Sequence, residues 1–517
     1  MALRVLNWAV RLGIVGGFGA AINYKCTYES IPKSTARTRE AVTTFSKDSR
    51  RELYDVAVVG GGIVGVATVR EIRKQFPTKR VILLEKEADV AQHQSSHNSG
   101  VIHAGMYYAQ HSLMARLCPR GHDLMTEYCK KNNLPYKRVG KIIVAVKEAE
   151  IPALEKLYKQ GVDNGVRDLK MLHSEEEIKK LEPNVHGVSA LYSPNTAITD
   201  FAAVTRHMLK ELQQGAKGLF DAQFKFEALD FVGLSLETAE KKPPEEMVLI
   251  RGREEGQLGP EKTIVAKNVI ACCGLSNDLL AKRSGPILGQ IGKKVVQTFS
   301  FRGRYYQLKP EARDLVSMNV YPAPDALRGI GVGVHFTPTV DEQRGHQLIM
   351  GPGSAAATHR YGYSPYFFDL EYCWNSAMSR GGWVNFVKHF GTLFQTFSVD
   401  VSRTVFLHEA RKLVPSLKDS DVEEGFAGVM GMAVAEGGEL EMDLSVELSR
   451  PRTVIAAVLK PNKVIELLEH ENAGGVVAKS GLNPLVMNVR NAPTPAATSS
   501  MSIAEDIVAA AKENFNW

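Results

Sequence analysis

Cysteine is scarce in this chain, and long apolar runs are absent beyond its first 22 residues. The six cysteines among 517 residues form no CxxC pair, which argues against a disulfide framework and indicates buried thiols in a reducing compartment. No later run approaches the roughly 18 uncharged apolar residues that predict a membrane-spanning helix. The composition, 44% hydrophobic and 23% charged, is that of a globular protein with two or three domains.

Most of the chain also lacks an excess of either charge. The net charge of +6 is accounted for by residues 1–51, which hold nine Lys/Arg against three acidic residues. The rest is neutral, so no nucleic-acid partner is predicted. Because 1–51 is rich in Arg, Ser and Thr, it favours a mitochondrial targeting leader. A secretory apolar region at 12–22 and a weak membrane anchor at 5–22 remain open as alternatives.

A strand, a helix and a second strand are predicted directly after the leader. Tyr54–Val59 is a short apolar run, 64–75 has helical periodicity, and Val81–Glu85 is a second buried strand. Between the first strand and the helix lies Gly60-Gly61-Gly62-Ile63-Val64-Gly65, which has the spacing G-x-G-x-x-G. In this context the motif predicts a dinucleotide-binding turn.

Each part of this unit has a chemical reason. Gly60 permits the tight turn, Gly62 lets the backbone approach a pyrophosphate, and Gly65 lets helix and strand pack closely. The start of the helix attracts phosphate through its free amides and dipole. Glu85, 20 residues after Gly65, is placed to bind a ribose diol and disfavours the 2′-phosphate of NADP. This unit alone does not separate FAD from NAD.

The remaining pattern predicts an α/β fold in which a doubly wound nucleotide-binding domain is interrupted by a β-rich antiparallel substrate domain with covering helices. Residues 237–261 are predicted as an exposed charged hairpin or loop. Aromatic residues at helical spacing in 366–397 fit either core packing or a membrane-docking surface. The predicted boundaries are the leader 1–51, the nucleotide-binding parts 52–135, 199–290 and 406–517, and the substrate parts 136–198 and 291–405.

Five longer stretches resemble a known family. They are Ser95–Tyr108, Gly140–Ala145, Phe301-Arg302-Gly303, Gly333–Thr337 and Arg490–Ser500. In this order they are similar to the L-2-hydroxyglutarate dehydrogenase family, which is FAD-dependent and belongs to the D-amino-acid-oxidase-like superfamily. The resemblance covers about 52–430 and 486–515, whereas 433–485 is atypical.

The resemblance implies FAD as cofactor and assigns its contacts, without any metal. For the adenosine and pyrophosphate it implies Gly60, Gly62, Gly65 and Glu85, and for the flavin side it implies Ser96, Asn98, Ser99 and Gly100. Gly274 would pass near the ribityl chain. A helix beginning near Thr498, Ser499 and Ser500 would direct its N-terminus at the flavin pyrimidine carbonyl.

The implied reaction is oxidation of a small 2-hydroxy acid, with L-2-hydroxyglutarate becoming 2-oxoglutarate. A general base takes the hydroxyl proton while the Cα hydride moves to flavin N5. His335 and His103 are the candidate bases, because histidine titrates near neutral pH. Arg302 is the candidate carboxylate clamp, with a solvent-facing strand arginine as the alternative. The electron acceptor, a quinone pool or a carrier, and a peripheral membrane association remain open.

Several positions depart from the family pattern. Met114 and Met430 stand where the family has Lys and Arg, Arg304 where it has Glu, and Gly353 where it has Asn. A changed substrate, a lost activity and a local sequence error would each account for this. Oxidation of another small hydroxy or amino acid, or flavin binding without turnover, therefore remains an alternative function.

Overall fold

The computed structural model describes residues 51–215, 218–238, 245–254, 259–324, 333–342, 344–379, 384, 397–451, 453–459, 464–467 and 483–517. The predicted leader, apart from Arg51, lies outside this part of the chain. So do several of the aromatic residues in 385–396.

In chain order, the strands of the described residues are β1 (Arg51–Val59), β2 (Val81–Leu84), β3 (Val101–Ile102), β4 (Tyr136–Arg138), β5 (Lys141–Ala145), β6 (Lys170–Leu172), β7 (Ser189–Ser193), β8 (Ala197–Thr199), β9 (Phe220–Gln223), β10 (Phe226–Thr238), β11 (Glu245–Glu254), β12 (Glu261–Ala271), β13 (Ile287–Ile291), β14 (Val295–Leu308), β15 (Asn319–Pro322), β16 (His335–Pro338), β17 (Leu348–Gly351), β18 (Ala355–Ala356), β19 (Val422–Ala435), β20 (Leu440–Glu441), β21 (Ser445–Ser449), β22 (Thr453–Leu459), β23 (Val464–Leu467) and β24 (Val486–Asn491). The helices are α1 (Ile63–Gln75), α2 (Leu113–Lys131), α3 (Ile151–Asp163), α4 (Glu175–Leu181), α5 (Phe201–Gly215), α6 (Asn277–Ala281), α7 (Leu370–Met378), α8 (Arg403–Leu413) and α9 (Ala496–Asn514).

The larger sheet has a parallel centre, with strands in the order β9-β2-β1-β12-β24. Its central strands read as apolar runs because both of their faces are covered. Val56 and Val58 of β1 pack in a cluster with α1, α2, α5 and α9, whereas Ala57 and Val59 pack against β10 and β11 on the opposite face. The predicted nucleotide-binding sheet is thereby confirmed, with helices on one face and strands on the other.

The second sheet is mostly antiparallel, in the order β20-β19-β14-β17-β16-β15-β5-β7-β6. β14 alternates between buried and half-buried residues along much of its length, and β19 pairs with it from Val422 to Ala435. Helices α4 and α8 cover its core through Ile178, Phe406 and Leu413. This is the predicted β-rich domain with covering helices.

Two segments differ from their sequence-based description. Within 237–261, β11 lies between β10 and β12, and Met247, Val248, Leu249 and Ile250 are fully buried. The expectation of an exposed hairpin or loop is therefore wrong for this strand, whose apolar centre is short and flanked by charged residues. The expected boundary placed 406–517 with the nucleotide-binding domain, whereas β19 and β20 pair in the second sheet.

The atypical segment 433–485 contributes to both sheets. It includes the end of β19 in the second sheet, and β21 lies between β13 and β24 in the larger one. Strand β21 is buried along its whole length, and its Glu447 forms a buried ion pair with Arg490 of β24. In the described residues, no helix is long and apolar enough to cross a bilayer.

Candidate active site

The glycine-rich turn connects β1 to α1, and its three motif glycines serve different purposes. At Gly60, where φ is +111°, an added Cβ would lie 2.3 Å from the carbonyl oxygen of Cys272. At Gly65 it would lie 1.9 Å from the Gly60 carbonyl oxygen. Both positions therefore need glycine for packing and, at Gly60, for backbone conformation.

Gly62 is different, because no atom of the described residues would crowd a Cβ added there. The nearest atom to an added Cβ is the Ser95 hydroxyl oxygen at 3.4 Å, and the backbone has φ −69° and ψ 168°, which any residue adopts. Since neither packing nor conformation requires glycine here, its reason lies in the adjoining cavity. A pyrophosphate in close contact with the helix start would need this space.

Glu85 follows β2 and lines the same cavity. Its carboxylate accepts hydrogen bonds from the amides of Gly61 and Glu87, which fix its orientation. It is 8% exposed, and burial raises the pKa of its carboxyl. The carboxylate therefore lies on a fixed support beside the glycine-rich turn, as a ribose-binding group requires.

Lys86, His93 and Tyr361 also line this cavity and were not identified from the sequence. The Lys86 ammonium nitrogen lies 2.8 Å from Nε2 of His93 and 4.4 Å from the centroid of the Tyr361 ring. Lys86 directly follows Glu85, so its place beside the motif could have identified it from the sequence. Tyr361 is more than 270 residues from Lys86 in the chain, and no sequence pattern connects the two.

The first cavity, of about 270 Å³, continues into a second of about 290 Å³. The two cavities share five lining residues: Gln94, Gly431, Ala492, Ala496 and Ala497. The result is one elongated cleft with the glycine-rich turn at one end and the second sheet at the other. Such a cleft fits an extended dinucleotide whose reactive ring faces the second cavity.

The loop 95–100 forms part of the wall between the two cavities. The Ser95 hydroxyl accepts a hydrogen bond from the Ile63 amide, and the Asn98 side chain bonds three backbone groups of its own loop. Asn98 and Ser99 line the second cavity. Ser96 and Gly100 do not line either: the Ser96 hydroxyl bonds the His93 carbonyl, and Gly100 packs against the carbonyl of Thr199.

Helix α9 begins at Ala496, two residues before the predicted start at Thr498, and its first residues lie at the junction of the two cavities. Ala496 and Ala497 line the cleft, whereas Thr498, Ser499 and Ser500 are fully buried behind it. The Thr498 hydroxyl accepts from the His103 amide at 3.1 Å and donates to the Val101 carbonyl at 3.2 Å. The Thr498 hydroxyl thus fixes the start of the helix, whereas the Ser499 and Ser500 hydroxyls make no hydrogen bond within the described residues. The N-terminal end of the helix is what meets the cleft.

Gly274 lines the first cavity, where the chain leaves β12 and enters a short 3₁₀ turn. Its φ is +52°, a left-handed conformation that favours glycine. The preceding Cys272 and Cys273 also line the cavity, and burial raises the pKa of the Cys272 thiol to about 12. Both are therefore protonated and inert at neutral pH.

His335 and His103 both line the second cavity. Nδ1 of His335 lies 2.8 Å from the Gly333 carbonyl oxygen. Because a carbonyl only accepts, Nδ1 carries the hydrogen and Nε2 keeps its lone pair. Burial, assisted by the charge of Lys141, lowers the pKa of His335 to about 3. Burial and then the same charge hold the pKa of His103 well below its usual range.

Arg302 lines the second cavity but is not a free cation. Its guanidinium forms a buried ion pair with Asp400, whose other carboxylate oxygen accepts from the Arg304 amide. Burial raises the pKa of Asp400, and the Arg302 charge opposes that rise. The guanidinium keeps further N–H donors for a carboxylate, while its charge is balanced by Asp400.

The two methionines that depart from the family pattern lie in different places. Met430 of β19 lines the second cavity, where the Thr494 hydroxyl contacts its sulfur at 3.3 Å. Met114, in the first turn of α2, is fully buried in the core, and its amide donates to the Asp443 carboxylate. Only Met430 can therefore affect a ligand by direct contact.

Comparison with known proteins identifies the family. Residues 55–446 match the family described as FAD dependent oxidoreductase. The chain is 36% identical to the mitochondrial L-2-hydroxyglutarate dehydrogenase of Nematostella vectensis, covering 90% of this chain and 91% of that one. It is 32% identical to the Homo sapiens protein of the same name, covering 91% of each.

Solved structures show the same fold at lower identity. L-α-glycerophosphate oxidase from Mycoplasma pneumoniae, solved with FAD bound, has a TM-score of 0.61 and 20% identity, covering 90% of this chain and 95% of that one. Glycine oxidase from Geobacillus kaustophilus has a TM-score of 0.54 and 17% identity, covering 90% and 95%. This chain therefore belongs to the FAD-dependent oxidoreductase family and, within it, to the family of L-2-hydroxyglutarate dehydrogenases.

Proposed function

We propose that this protein oxidises L-2-hydroxyglutarate to 2-oxoglutarate with FAD as its cofactor. The observation that carries the proposal is the continuous cleft, which brings a dinucleotide-binding turn and a neutral, oriented His335 into one space. Sequence identity over nine-tenths of the chain to L-2-hydroxyglutarate dehydrogenases supports this substrate.

FAD is the cofactor of this family, and the first cavity fits it. Gly60, Gly62 and Glu85 would hold its pyrophosphate and ribose, with the start of α9 facing the reactive ring. The chemistry that FAD supplies when bound is acceptance of a hydride from the substrate Cα. Everything else in the reaction falls to the chain's own residues.

His335 is the proposed general base. Its Nε2 would take the proton of the substrate hydroxyl while the Cα–H electron pair leaves, so that a carbonyl forms at C2. The Gly333 carbonyl fixes the ring and stabilises the imidazolium that results, because Nδ1 continues to donate to it. His103, which lines the same cavity, is proposed to orient the substrate. Arg302 is proposed to donate hydrogen bonds to a substrate carboxylate.

The deciding experiment is anaerobic. Purified, flavin-loaded protein is mixed with L-2-hydroxyglutarate, and the visible flavin band is followed, with the D-enantiomer as control. Bleaching by the L-form alone is the expected result. A flavin that stays oxidised with both enantiomers contradicts the proposal.

A second candidate substrate is a monocarboxylate hydroxy or amino acid. The second cavity has Met430 in its wall, and its one arginine among the described lining residues is already paired with Asp400. Such a wall suits a single carboxylate better than two. Lactate, 2-hydroxybutyrate and the matching amino acids in the same anaerobic assay would reveal this preference, whereas bleaching by none of them would indicate flavin binding without turnover.

We also propose peripheral contact with a membrane. The segment before and within α7 exposes Tyr366, Phe368 and Leu370, which are 91%, 65% and 72% accessible. Aromatic and aliphatic side chains of this kind insert into the interfacial region of a bilayer. Sedimentation with vesicles containing anionic lipid should fall when Phe368 and Leu370 are changed to Ser; unchanged sedimentation contradicts the assignment.

Mitochondrial localisation is proposed on two grounds. Residues 1–51 carry the whole net charge of the chain, and the relatives compared above are named as mitochondrial. A fluorescent protein fused after residue 51 should enter mitochondria, and one whose leader arginines are changed to Gln should stay outside. Secretion of the first fusion would favour the alternative of a secretory signal.

A further inference from the structure

Lys141, the first residue of β5, is a buried lysine that makes no hydrogen bond or ion pair within the described part of the chain. It is 1% exposed, and its ammonium nitrogen has no hydrogen-bond partner among the described residues. A lysine is almost never fully buried unless it is paired, because the ammonium loses its hydration. Its presence here therefore needs an explanation.

The ring of Tyr321 separates the Lys141 ammonium from the His335 ring, which lines the second cavity. The ammonium nitrogen is 3.5 Å from the centroid of the Tyr321 ring and 4.7 Å from that of Tyr107. The His335 ring stacks on Tyr321 with centroids 3.8 Å apart. One face of Tyr321 cannot hold both groups at these distances, so Lys141 and His335 lie on opposite faces. Tyr321 and His335 both line the cavity.

The positive charge of Lys141 is not balanced by any carboxylate of the described residues. The titratable groups facing it are Tyr107 and His103 from the loop after β3, Cys118 from α2, Tyr321 from β15 and His335 from β16. Burial lowers the pKa of Lys141 to about 7, and the Cys118 thiol opposes this shift. The other cation of the cavity, Arg302, is already neutralised by Asp400.

We propose that Lys141 is a positioning residue that compensates substrate charge: an anionic substrate enters the second cavity together with a proton that Lys141 binds. The inference rests on the proposed function, and it deepens it by assigning a further residue through which the site would prefer a dicarboxylate to a monocarboxylate. A dicarboxylate brings two negative charges to a cavity whose lining, among the described residues, holds one guanidinium, that of Arg302, which is buried and paired with Asp400, and also the acidic residue Glu409. The buried ammonium supplies the missing positive charge through space, without touching the substrate.

The proposal fixes the direction of the pH dependence. In the free protein Lys141 loses its proton near neutral pH, and a neighbouring anion raises the pKa of its ammonium. Above about pH 7, binding must therefore take up a proton. The KM for a dicarboxylate should then rise roughly tenfold per pH unit, while kcat changes less.

The test variant is Lys141→Met, which keeps an unbranched side chain that is one atom shorter and removes its charge. At pH 6.5 we expect KM to rise about 10- to 100-fold and its dependence on pH to disappear. The melting temperature should stay equal or rise, because a buried unpaired charge is replaced by an apolar group. The matched control is Lys137→Met, at an exposed position on β4, which should leave KM unchanged. Lys141→Gln repeats the test if the Met variant fails to fold.

Proton uptake distinguishes this role from a structural one. Binding of 2-oxoglutarate to the oxidised holoenzyme at pH 8 is measured by calorimetry in two buffers with different ionisation enthalpies. Uptake of nearly one proton by the wild type and of none by Lys141→Met is the expected result.

Uptake that persists in the variant overturns the proposal and assigns the proton to another group, such as His335. Tight binding by the wild type without uptake overturns it and leaves the proposed function intact. A wild type that neither binds 2-oxoglutarate nor oxidises L-2-hydroxyglutarate rejects the proposed function itself.

Discussion

The two ends of the cleft are built from different kinds of atoms. At the nucleotide end a ligand would face the backbone of the Gly60–Gly65 turn, of Gly274 and of the first turn of α9, together with the side chains of Glu85 and Lys86 from one short stretch of sequence. At the substrate end it meets side chains from distant segments, among them His103, Arg302, His335 and Met430. A backbone site is specified by short local sequence. A side-chain site depends on how two sheets pack, so single substitutions change its chemistry without changing the fold.

The largest expected effect lies at the nucleotide end. Gly62→Val fills the space beside the helix start, where the pyrophosphate would lie. The added Cβ does not clash with any of the described residues around it. We expect FAD binding to weaken by roughly 100-fold or more, which is about 3 kcal/mol, with the fold retained. Flavin content and circular dichroism would measure the two effects. Gly60→Val is the contrasting variant and should fail to fold, because its Cβ meets the Cys272 carbonyl at 2.3 Å. Full flavin content in Gly62→Val would contradict the comparison.

At the substrate end, His335→Ala should remove the general base while leaving FAD bound. Flavin reduction is expected to slow about 10²- to 10⁴-fold, the usual contribution of general base catalysis. In the wild type, the pKa of His335 near 3 means that kcat/KM should not fall between pH 7 and 5. A normal histidine would lose half of its activity near pH 6.5. Stopped-flow reduction across this range measures both effects, and unchanged rates in the variant would exclude His335 as the base.

Asp400→Ala tests the packing on which the substrate end depends. It leaves the Arg302 guanidinium buried without its ion pair, which costs about 3–5 kcal/mol of stability. Chemical denaturation would measure the loss. The corresponding change at the other end, Glu447→Ala, breaks the buried pair with Arg490 and should cost a similar amount. A loss below 1 kcal/mol at Asp400 alone would show that the second sheet tolerates an unpaired cation.

The smallest expected effect concerns the junction of the two ends. Thr498→Val removes the hydroxyl that joins the His103 amide to the Val101 carbonyl. Leaving these buried groups unpaired should cost about 1–3 kcal/mol. The control is Thr404→Val, exposed on α8, which should change stability by no more than about 0.5 kcal/mol. If both variants unfold at the same denaturant concentration, Thr498 does not fix α9.

What the sequence could predict follows the same division. The strand, turn and helix around Gly60–Gly65 and the acid at Glu85 are contiguous, so periodicity and spacing were sufficient. Tyr361 and Asp400 were missed because only tertiary packing brings Tyr361 to the cleft and Asp400 to Arg302. The buried strand β11 was misjudged because charged residues flank its short apolar centre. Lys141 lies in a stretch that resembles the family, but its burial could not be predicted, since a lysine at the start of a strand is normally solvated.

Helix α9 has a consequence for how the protein is made. Its Ser502 hydroxyl donates to the Leu117 carbonyl of α2, and its apolar side packs in one core with α1. Residues 496–514 thus complete a domain whose first strand begins at residue 51. We expect the nascent chain to be unable to retain FAD until α9 has left the ribosome, or a translocation pore, and to depend on chaperones until then.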